Sequence, residues 1–126
     1  MASVPRQLRV LITEDDPDTR ELLSLCLAQH RFEVVFANNG EDALRLDKKQ
    51  QLDAYLIDNR LPQLCGVELC RRIRQFDLYT PIIFYSGDAN SSQKEEALLA
   101  GAQGYVVKPA SCDEVLEALL AVVKRL

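Results

Sequence analysis

Short aliphatic runs alternate with longer amphipathic stretches along almost the whole chain. Five such runs cover residues 8–12, 32–37, 53–57, 81–85 and 104–107. Runs of this length, rich in aliphatic and β-branched residues, are typical of strands that are buried on both faces. The stretches between them carry apolar residues at helical spacing, as Val67, Cys70 and Ile73 do. The pattern therefore predicts five strands, each followed by a helix.

Local signals mark where several of these helices begin and end. Pro17 follows three acidic residues at a point where its missing N–H suits the first turn of a helix. Ser111 and Glu114 have the spacing of a capping box, which predicts that the last helix begins near Ser111. Gly101 follows the stretch 91–100 as a C-terminal cap.

Strands that alternate with helices through short loops indicate one α/β domain, with a five-stranded parallel sheet and helices on both faces. The prediction assigns residues 1–126 to this single domain, with 1–7 as a flexible N-terminal extension. No apolar run approaches the roughly 20 residues of a membrane span. We therefore expect neither a membrane partner nor a location outside the cytoplasm.

Charge and cysteine content narrow the classes of function. The net charge is −4, which argues against direct nucleic-acid binding because phosphate recognition needs clustered positive charge. The four cysteines form no CxxC pair and the chain has one histidine, so a zinc site is disfavoured. These cysteines are interpreted as reduced residues that mostly act as small apolar fillers.

Polar residues follow four of the five predicted strands. They are Glu14, Asp15, Asp16, Asp58, Ser86 and Lys108. Taken alone, Asp58 is better explained as an ordinary turn residue than as a functional one. However, the carboxyl ends of parallel strands meet at one edge of the sheet, where ligands bind. We therefore expect at least three carboxylates to converge there with one lysine and one hydroxyl.

Such a cluster needs a compensating charge. Two like charges about 4 Å apart repel by roughly 4 kcal/mol at an effective dielectric constant near 20. Carboxylate oxygens favour a hard cation, and a partly hydrated site of this kind suits Mg2+. A metal beside a carboxylate nucleophile and an ammonium group is also what phosphoryl transfer requires. The sequence thus suggests phosphorylation of an aspartate.

Four segments carry a resemblance to a known family. VLITEDDP, YLIDNRLPQLCG, IIFYSGD and GYVVKP resemble, in order and spacing, the receiver domain of two-component response regulators. The resemblance covers essentially the whole chain. It implies a flavodoxin-like (βα)5 fold with strand order 2-1-3-4-5.

The resemblance also implies roles for individual residues. Asp58 would be the phosphoacceptor, and Ser86 and Lys108 would contact phosphoryl oxygens. The metal ligands would be Asp15 directly, Glu14 through water, Asp58, and the backbone carbonyl of Arg60. Whether Asp16 replaces Glu14 in the acidic pair is left open. Ser86 and Tyr105 would act as switch residues, and a cis peptide bond would precede Pro109.

The partners follow from the same resemblance. A histidine kinase or histidine phosphotransfer protein would supply the phosphoryl group, and a downstream protein or effector domain would read the change. The domain would catalyse only its own phosphotransfer and dephosphorylation, as a monomer or a phosphorylation-dependent dimer. The alternative is a pseudo-receiver that binds a protein constitutively.

Three residues depart from the family pattern: Ala110, Cys65 and Asn59. Arg60 and Asp88 occupy positions that, in the family, influence how long the phosphoryl group survives.

Overall fold

The computed structural model describes residues 7–123, in which strands and helices alternate throughout. The elements are β1 Leu8–Thr13, α1 Pro17–Ala28, β2 Phe32–Ala37, α2 Gly40–Lys49, β3 Ala54–Ile57, α3 Gly66–Arg74, β4 Ile82–Ser86, α4 Ser91–Ala100, β5 Gly104–Val107 and α5 Cys112–Val122. Except for Gln7, the predicted flexible extension lies outside the described residues. None of the helices described has the length and apolar content to cross a membrane.

All five strands are parallel, in the order β2-β1-β3-β4-β5. This confirms the predicted fold and strand order. The pairing registers align the ends of neighbouring strands, since Thr13 lies opposite Ile57 and Ser86 lies opposite Val107. The residues that follow β1, β3, β4 and β5 therefore share one edge of the sheet.

The helices cover both faces of the sheet and create two apolar cores. One core packs α2, α3 and α4 against residues such as Tyr55 and Ile57, and the other packs α1 and α5 against Ala54 and Leu56. Alternate residues of a strand point to opposite faces, so β3 is buried on both sides. This explains why its sequence is continuously apolar up to Asp58.

The helix ends agree with the local sequence signals. Asp16 is the N-cap of α1, and Ser111 and Glu114 form both hydrogen bonds of a capping box at α5. Gly101 ends α4 with φ of 117°, a left-handed conformation that glycine adopts without steric penalty. The three predicted helix boundaries are thus confirmed.

The cysteines differ from the prediction. Cys26 in α1 and Cys112 in α5 form a disulfide, with Cα atoms 5.8 Å apart. The interpretation as reduced residues is therefore wrong for this pair. It holds for Cys65, which is free and exposed, and for Cys70, which is free and buried. The packing of α1 beside α5 brings together two cysteines that are 86 residues apart in sequence.

Candidate functional site

The acidic residues after β1 and β3 meet at the carboxyl edge of the sheet. The amide of Asp58 donates to the carbonyl oxygen of Thr13 at 3.1 Å, which extends the β1–β3 pairing to the phosphoacceptor candidate. Glu14, Asp15 and Asp58 each offer a carboxylate oxygen, and these oxygens lie within 4.8 Å of one another. Glu14 is 2% exposed and Asp58 is 7% exposed, whereas Asp15 faces solvent.

Lys108 brings a positive charge to two of these carboxylates. Its Nζ donates to Glu14 Oε1 at 2.8 Å and to Asp58 Oδ2 at 3.2 Å. The peptide bond from Lys108 to Pro109 is cis, as predicted. The ammonium group also lies 5.1 Å from the centre of the Tyr85 ring, a favourable cation–π distance. Lys108 thus connects the end of β5 to the ends of β1 and β3.

Burial and charge act together on the ionisation of this pair. Burial raises the pKa of Glu14 and the negative charge of Asp58 raises it further, against the hydrogen bond from Lys108. Burial by itself would lower the pKa of Lys108, but the Glu14 hydrogen bond and the Asp58 charge raise it above its usual value. Lys108 therefore stays an ammonium group at neutral pH and offsets part of the negative charge of the cluster.

The donor set fits Mg2+. Three carboxylates offer only oxygen ligands, which a small hard cation prefers. One of them is exposed, which leaves room for the water ligands that Mg2+ usually retains. The role of the Arg60 carbonyl as a further ligand stays a prediction.

Asp16 is already used by helix α1. Its carboxylate accepts from the Thr19 amide at 3.0 Å and from the Thr19 hydroxyl at 2.6 Å. These hydrogen bonds lower the pKa of Asp16. The geometry favours Glu14, rather than Asp16, as the companion of Asp15 in the acidic cluster.

Substitution of Asp15 by asparagine is expected to weaken Mg2+ binding by about tenfold or more, since a charged ligand is lost. Asp16→Asn is the matched control because it makes the same change one residue away and asparagine is an equally good N-cap. We expect it to bind Mg2+ as the unsubstituted protein does. Isothermal titration calorimetry measures both, and the reverse ranking would show that the acidic register is shifted by one residue.

Ser86 is the last residue of β4, and Tyr105 lies within the neighbouring strand β5. Ser86 is fully buried, and its Oγ accepts from the Asp88 amide at 3.3 Å. The Tyr105 hydroxyl donates to the Asp88 carbonyl oxygen at 2.7 Å, and its ring stacks on Phe84 with centroids 5.8 Å apart. Partial burial raises the pKa of Tyr105. Both predicted switch residues therefore contact the same loop between β4 and α4.

An ion pair joins the loops that carry Asp58 and Ser86. The Arg60 guanidinium lies 2.7 Å from Asp88 Oδ1, and this hydrogen bond lowers the pKa of Asp88. The Arg60 amide also donates to Asp58 Oδ1 at 3.2 Å. The sequence singled out both positions for their influence on phosphoryl lifetime, but it did not predict that they pair.

Asn59 is a positioning residue that sequence reasoning missed. It is buried, its Oδ1 accepts from the Val67 amide at 3.1 Å, and its Nδ2 donates to Gln93 Oε1 at 3.2 Å. Asn59 therefore holds the loop after Asp58 against the starts of α3 and α4. The sequence signal was that Asn59 is polar at a position where the receiver family commonly has an apolar residue. From the sequence alone, this polarity was interpreted only as a departure from the family pattern.

Gly66 lets the start of α3 approach the loop that begins at Asp58. A Cβ atom at this position would lie 2.5 Å from the Asp58 carbonyl oxygen and 2.8 Å from Asn59 Cα. We expect Gly66→Ala to lower the free energy of unfolding by about 2 kcal/mol, because rigid backbone would have to move. Gly87→Ala is the control, since a Cβ there meets nothing within 4 Å. Urea denaturation compares the two; equal midpoints would contradict the close approach.

The parallel (βα)5 fold, with acids, a hydroxyl and a lysine gathered at one sheet edge, defines a receiver-like signalling domain. The family model of the response regulator receiver domain matches residues 10–120, and the chain belongs to that family. The four sequence segments that suggested the family lie on β1, β3, β4, β5 and the loops that follow them. The resemblance is confirmed.

Curated relatives extend well beyond this domain. The chain is 34% identical over 118 residues to the cell cycle transcriptional regulator CtrA of Caulobacter vibrioides, covering 94% of this chain and 51% of that protein. It is 36% identical over 107 residues to the regulatory protein AtoC of Escherichia coli, covering 85% and 23%. The chain spans about half or less of the length of these relatives.

Two solved structures illustrate the similarity of the fold. The chemotaxis response regulator CheY4 of Vibrio cholerae superimposes with a TM-score of 0.87 at 28% identity, covering 93% of this chain and 99% of that one. The receiver domain of a sensor histidine kinase from Pseudomonas aeruginosa gives 0.85 at 30% identity, covering 92% and 97%. In the latter a magnesium ion is coordinated in the active site cleft.

Proposed function

We propose that this receiver domain is a phosphoacceptor, and that Asp58 takes a phosphoryl group from a histidine kinase or a histidine phosphotransfer protein. One observation carries the proposal: the Lys108 ammonium donates to both Glu14 and Asp58, beside a cluster of three carboxylates. A module that only binds protein has no evident use for like charges held together under a sheet edge, where they repel.

The transfer needs one nucleophile and several groups that neutralise charge. An oxygen of the Asp58 carboxylate attacks the phosphorus, the bond from phosphorus to the donor nitrogen breaks, and an acyl phosphate forms. Lys108 then exchanges its contact with the Asp58 carboxylate for one with a phosphoryl oxygen, and the Ser86 hydroxyl donates to another. Asp15, Asp58 and the Arg60 carbonyl would hold Mg2+ directly and Glu14 would hold it through water, and the ion would supply positive charge that offsets the charge of the phosphoryl group. Hydrolysis of the acyl phosphate at the same site ends the signal.

The readout uses the loop between β4 and α4. If Ser86 moves toward the phosphoryl group, it carries with it the segment that Tyr105 holds through the Asp88 carbonyl. The Tyr105 ring then changes its position between the loop and the surface of β5. We propose that a downstream protein or effector domain reads this change, and that the domain contacts no nucleic acid directly because its net charge is −4.

The remaining parts of the proposal concern organisation. Residues 1–126 act as one receiver domain, as a monomer or as a dimer that forms on phosphorylation. A location in the cytoplasm is proposed because a cytoplasmic kinase domain would be the phosphoryl donor.

Incubation with Mg2+ and acetyl phosphate tests the proposal directly. We expect intact-protein mass spectrometry to show one added phosphoryl group on the unsubstituted protein and none on Asp58→Asn. Asp16→Asn is the control and should be phosphorylated, because its side chain caps α1 instead of facing the cluster. An unchanged mass for the unsubstituted protein would refute the proposal and support the pseudo-receiver alternative.

A further inference from the structure

The disulfide between Cys26 and Cys112 joins the helix that follows Glu14 and Asp15 to the helix that follows Lys108. We propose that this cysteine pair is a reversible redox switch that sets how firmly the Lys108 loop is held and so adjusts phosphoryl uptake. The effect on phosphoryl uptake rests on the proposed function. The effect on the Lys108 loop concerns only the disulfide and the loop.

Cys112 lies close to Lys108 along the chain. It is the first residue of α5 and follows Lys108 by four residues, with Pro109, Ala110 and Ser111 between them. Cys26 lies in the last turn of α1, the helix that begins directly after the acidic loop. The bond therefore ties the segment that carries Lys108 to the helix that follows Glu14, one of the two carboxylates that Lys108 contacts.

Beside the disulfide, the packing between the Lys108 loop and α1 is incomplete. A surface cavity of about 210 Å3 lies there, and its wall includes Leu22, Tyr85, Ala110 and both cysteines. The Ala110 side chain ends at its β-carbon, so it lines this space without filling it. The sulfur–sulfur bond is a covalent connection between the first residue of α5 and α1, and it lies at the wall of this cavity.

The same cavity makes the bond accessible. Both sulfur-bearing residues line it, and Cys112 is only half-buried, so a small thiol or disulfide can reach the pair from solvent. Cys65 and Cys70, by contrast, lie in α3 or at its N-cap and do not line this cavity. A thiol–disulfide reaction here therefore involves one defined pair.

The reduced form also has a place for its thiols. Cys26 Sγ lies 3.7 Å from the carbonyl oxygen of Cys112, so its thiol has a weak acceptor in place once the bond is broken. A thiol that is largely buried otherwise behaves as a small apolar group. Reduction requires the two sulfur atoms to separate to van der Waals distance, so the start of α5 must shift relative to α1, as the proposed switch requires.

The chemistry is thiol–disulfide exchange with a small disulfide such as oxidised glutathione. One cysteine thiolate attacks the glutathione disulfide, which forms a mixed disulfide and releases one glutathione thiolate. The second cysteine thiolate then attacks the protein sulfur, which forms the Cys26–Cys112 bond and releases the second glutathione. The protein loses two electrons and two protons, and glutathione disulfide gains both. In a reducing compartment the bond would form only on oxidation.

The first experiment measures the switch without phosphorylation. The protein is equilibrated with mixtures of reduced and oxidised glutathione, and free thiols are counted by alkylation and mass spectrometry. We expect two thiols to disappear together in the unsubstituted protein and in the control Cys65→Ser, and no such transition in Cys26→Ser. Amide hydrogen exchange of the segment 106–116 should be faster in the reduced form. A missing transition, or equal exchange in both forms, would overturn the switch.

The second experiment measures phosphoryl uptake from acetyl phosphate with Mg2+ in the two redox forms. We expect reduction to slow it by roughly tenfold, less than the about hundredfold that a displacement of about 1 Å can cause. The double variant Cys26→Ser, Cys112→Ser should show the slow rate whatever the redox state, whereas Cys65→Ser should behave as the unsubstituted protein. Equal rates in both forms would overturn the coupling. If neither form is phosphorylated, the proposed function fails, and hydrogen exchange alone then supports or overturns the switch.

Discussion

Replacement of Lys108 by methionine is expected to lower the free energy of unfolding by about 3 kcal/mol in the absence of Mg2+. The ammonium group contacts Glu14 and Asp58, whose side chains are 3% and 9% exposed. Methionine keeps an unbranched side chain but removes the charge, so two carboxylates in a partly desolvated place would be left facing each other. Leaving a buried charge without its partner is among the more costly changes that one substitution makes.

Addition of Mg2+ should restore part of this loss, because a ligand that binds only the folded protein stabilises it by mass action. Lys48→Met on the exposed surface of α2 is the matched control, and we expect it to change stability by less than about 0.5 kcal/mol. Urea denaturation with and without Mg2+ measures all three proteins. If Lys108→Met unfolds at the same urea concentration as Lys48→Met, the lysine contributes little to holding the carboxylates together.

The fold could be predicted because its strands are buried on both faces. Val10, Leu11 and Ile12 are all 0–1% exposed, and continuous apolar runs of this kind between amphipathic stretches are characteristic of a parallel sheet covered by helices. The order of the strands came from the family resemblance and not from the pattern. Boundaries moved by about one residue, as at Pro81, which accepts a hydrogen bond from Tyr55 but has no N–H to donate and so precedes β4.

The convergence of the site was predictable, but its loop contacts were not. Parallel strands end at one edge, so the carboxylates, Ser86 and Lys108 had to be near one another. The Arg60–Asp88 pair and the Asn59–Gln93 hydrogen bond connect positions 28 and 34 residues apart. They depend on the path of two loops and on side-chain rotamers, neither of which hydrophobic periodicity records. The hydrogen bonds from Thr19 to Asp16 also depend on side-chain rotamers, so the sequence could not decide whether Asp16 or Glu14 belongs to the acidic pair.

The cysteines show a different limit of sequence reasoning. Spacing arguments detect cysteines that are close in sequence, as in metal sites and CxxC motifs. Cys26 and Cys112 are adjacent only because α1 and α5 pack side by side on the same face of the sheet. Both lie among apolar residues, as expected for small apolar fillers. An apolar environment alone does not distinguish a filler from a cysteine in a disulfide.

Loss of the Cys26–Cys112 bond is expected to lower the free energy of unfolding by roughly 4–5 kcal/mol in the chain-entropy treatment of crosslinks. The bond closes a loop with a sequence separation of 86 residues, so it removes a large part of the conformational freedom of the unfolded chain. Loops of about 100 residues correspond to about 4.7 kcal/mol in that treatment, and residual structure in the unfolded state reduces the figure.

Denaturation by urea with and without a reducing agent measures this effect. A variant without the two cysteines separates the effect of the bond from other effects of the reducing agent. Cys26→Ala with Cys112→Ala should match the reduced protein and become insensitive to the reductant. Cys65→Ser, which alters a free and exposed cysteine, should keep the full difference between oxidised and reduced forms. Equal midpoints for the oxidised and reduced protein would mean that the bond does not restrain the unfolded chain. Because α5 begins at Cys112, reduction should also speed amide hydrogen exchange in the Lys108 loop and leave exchange in α3 unchanged.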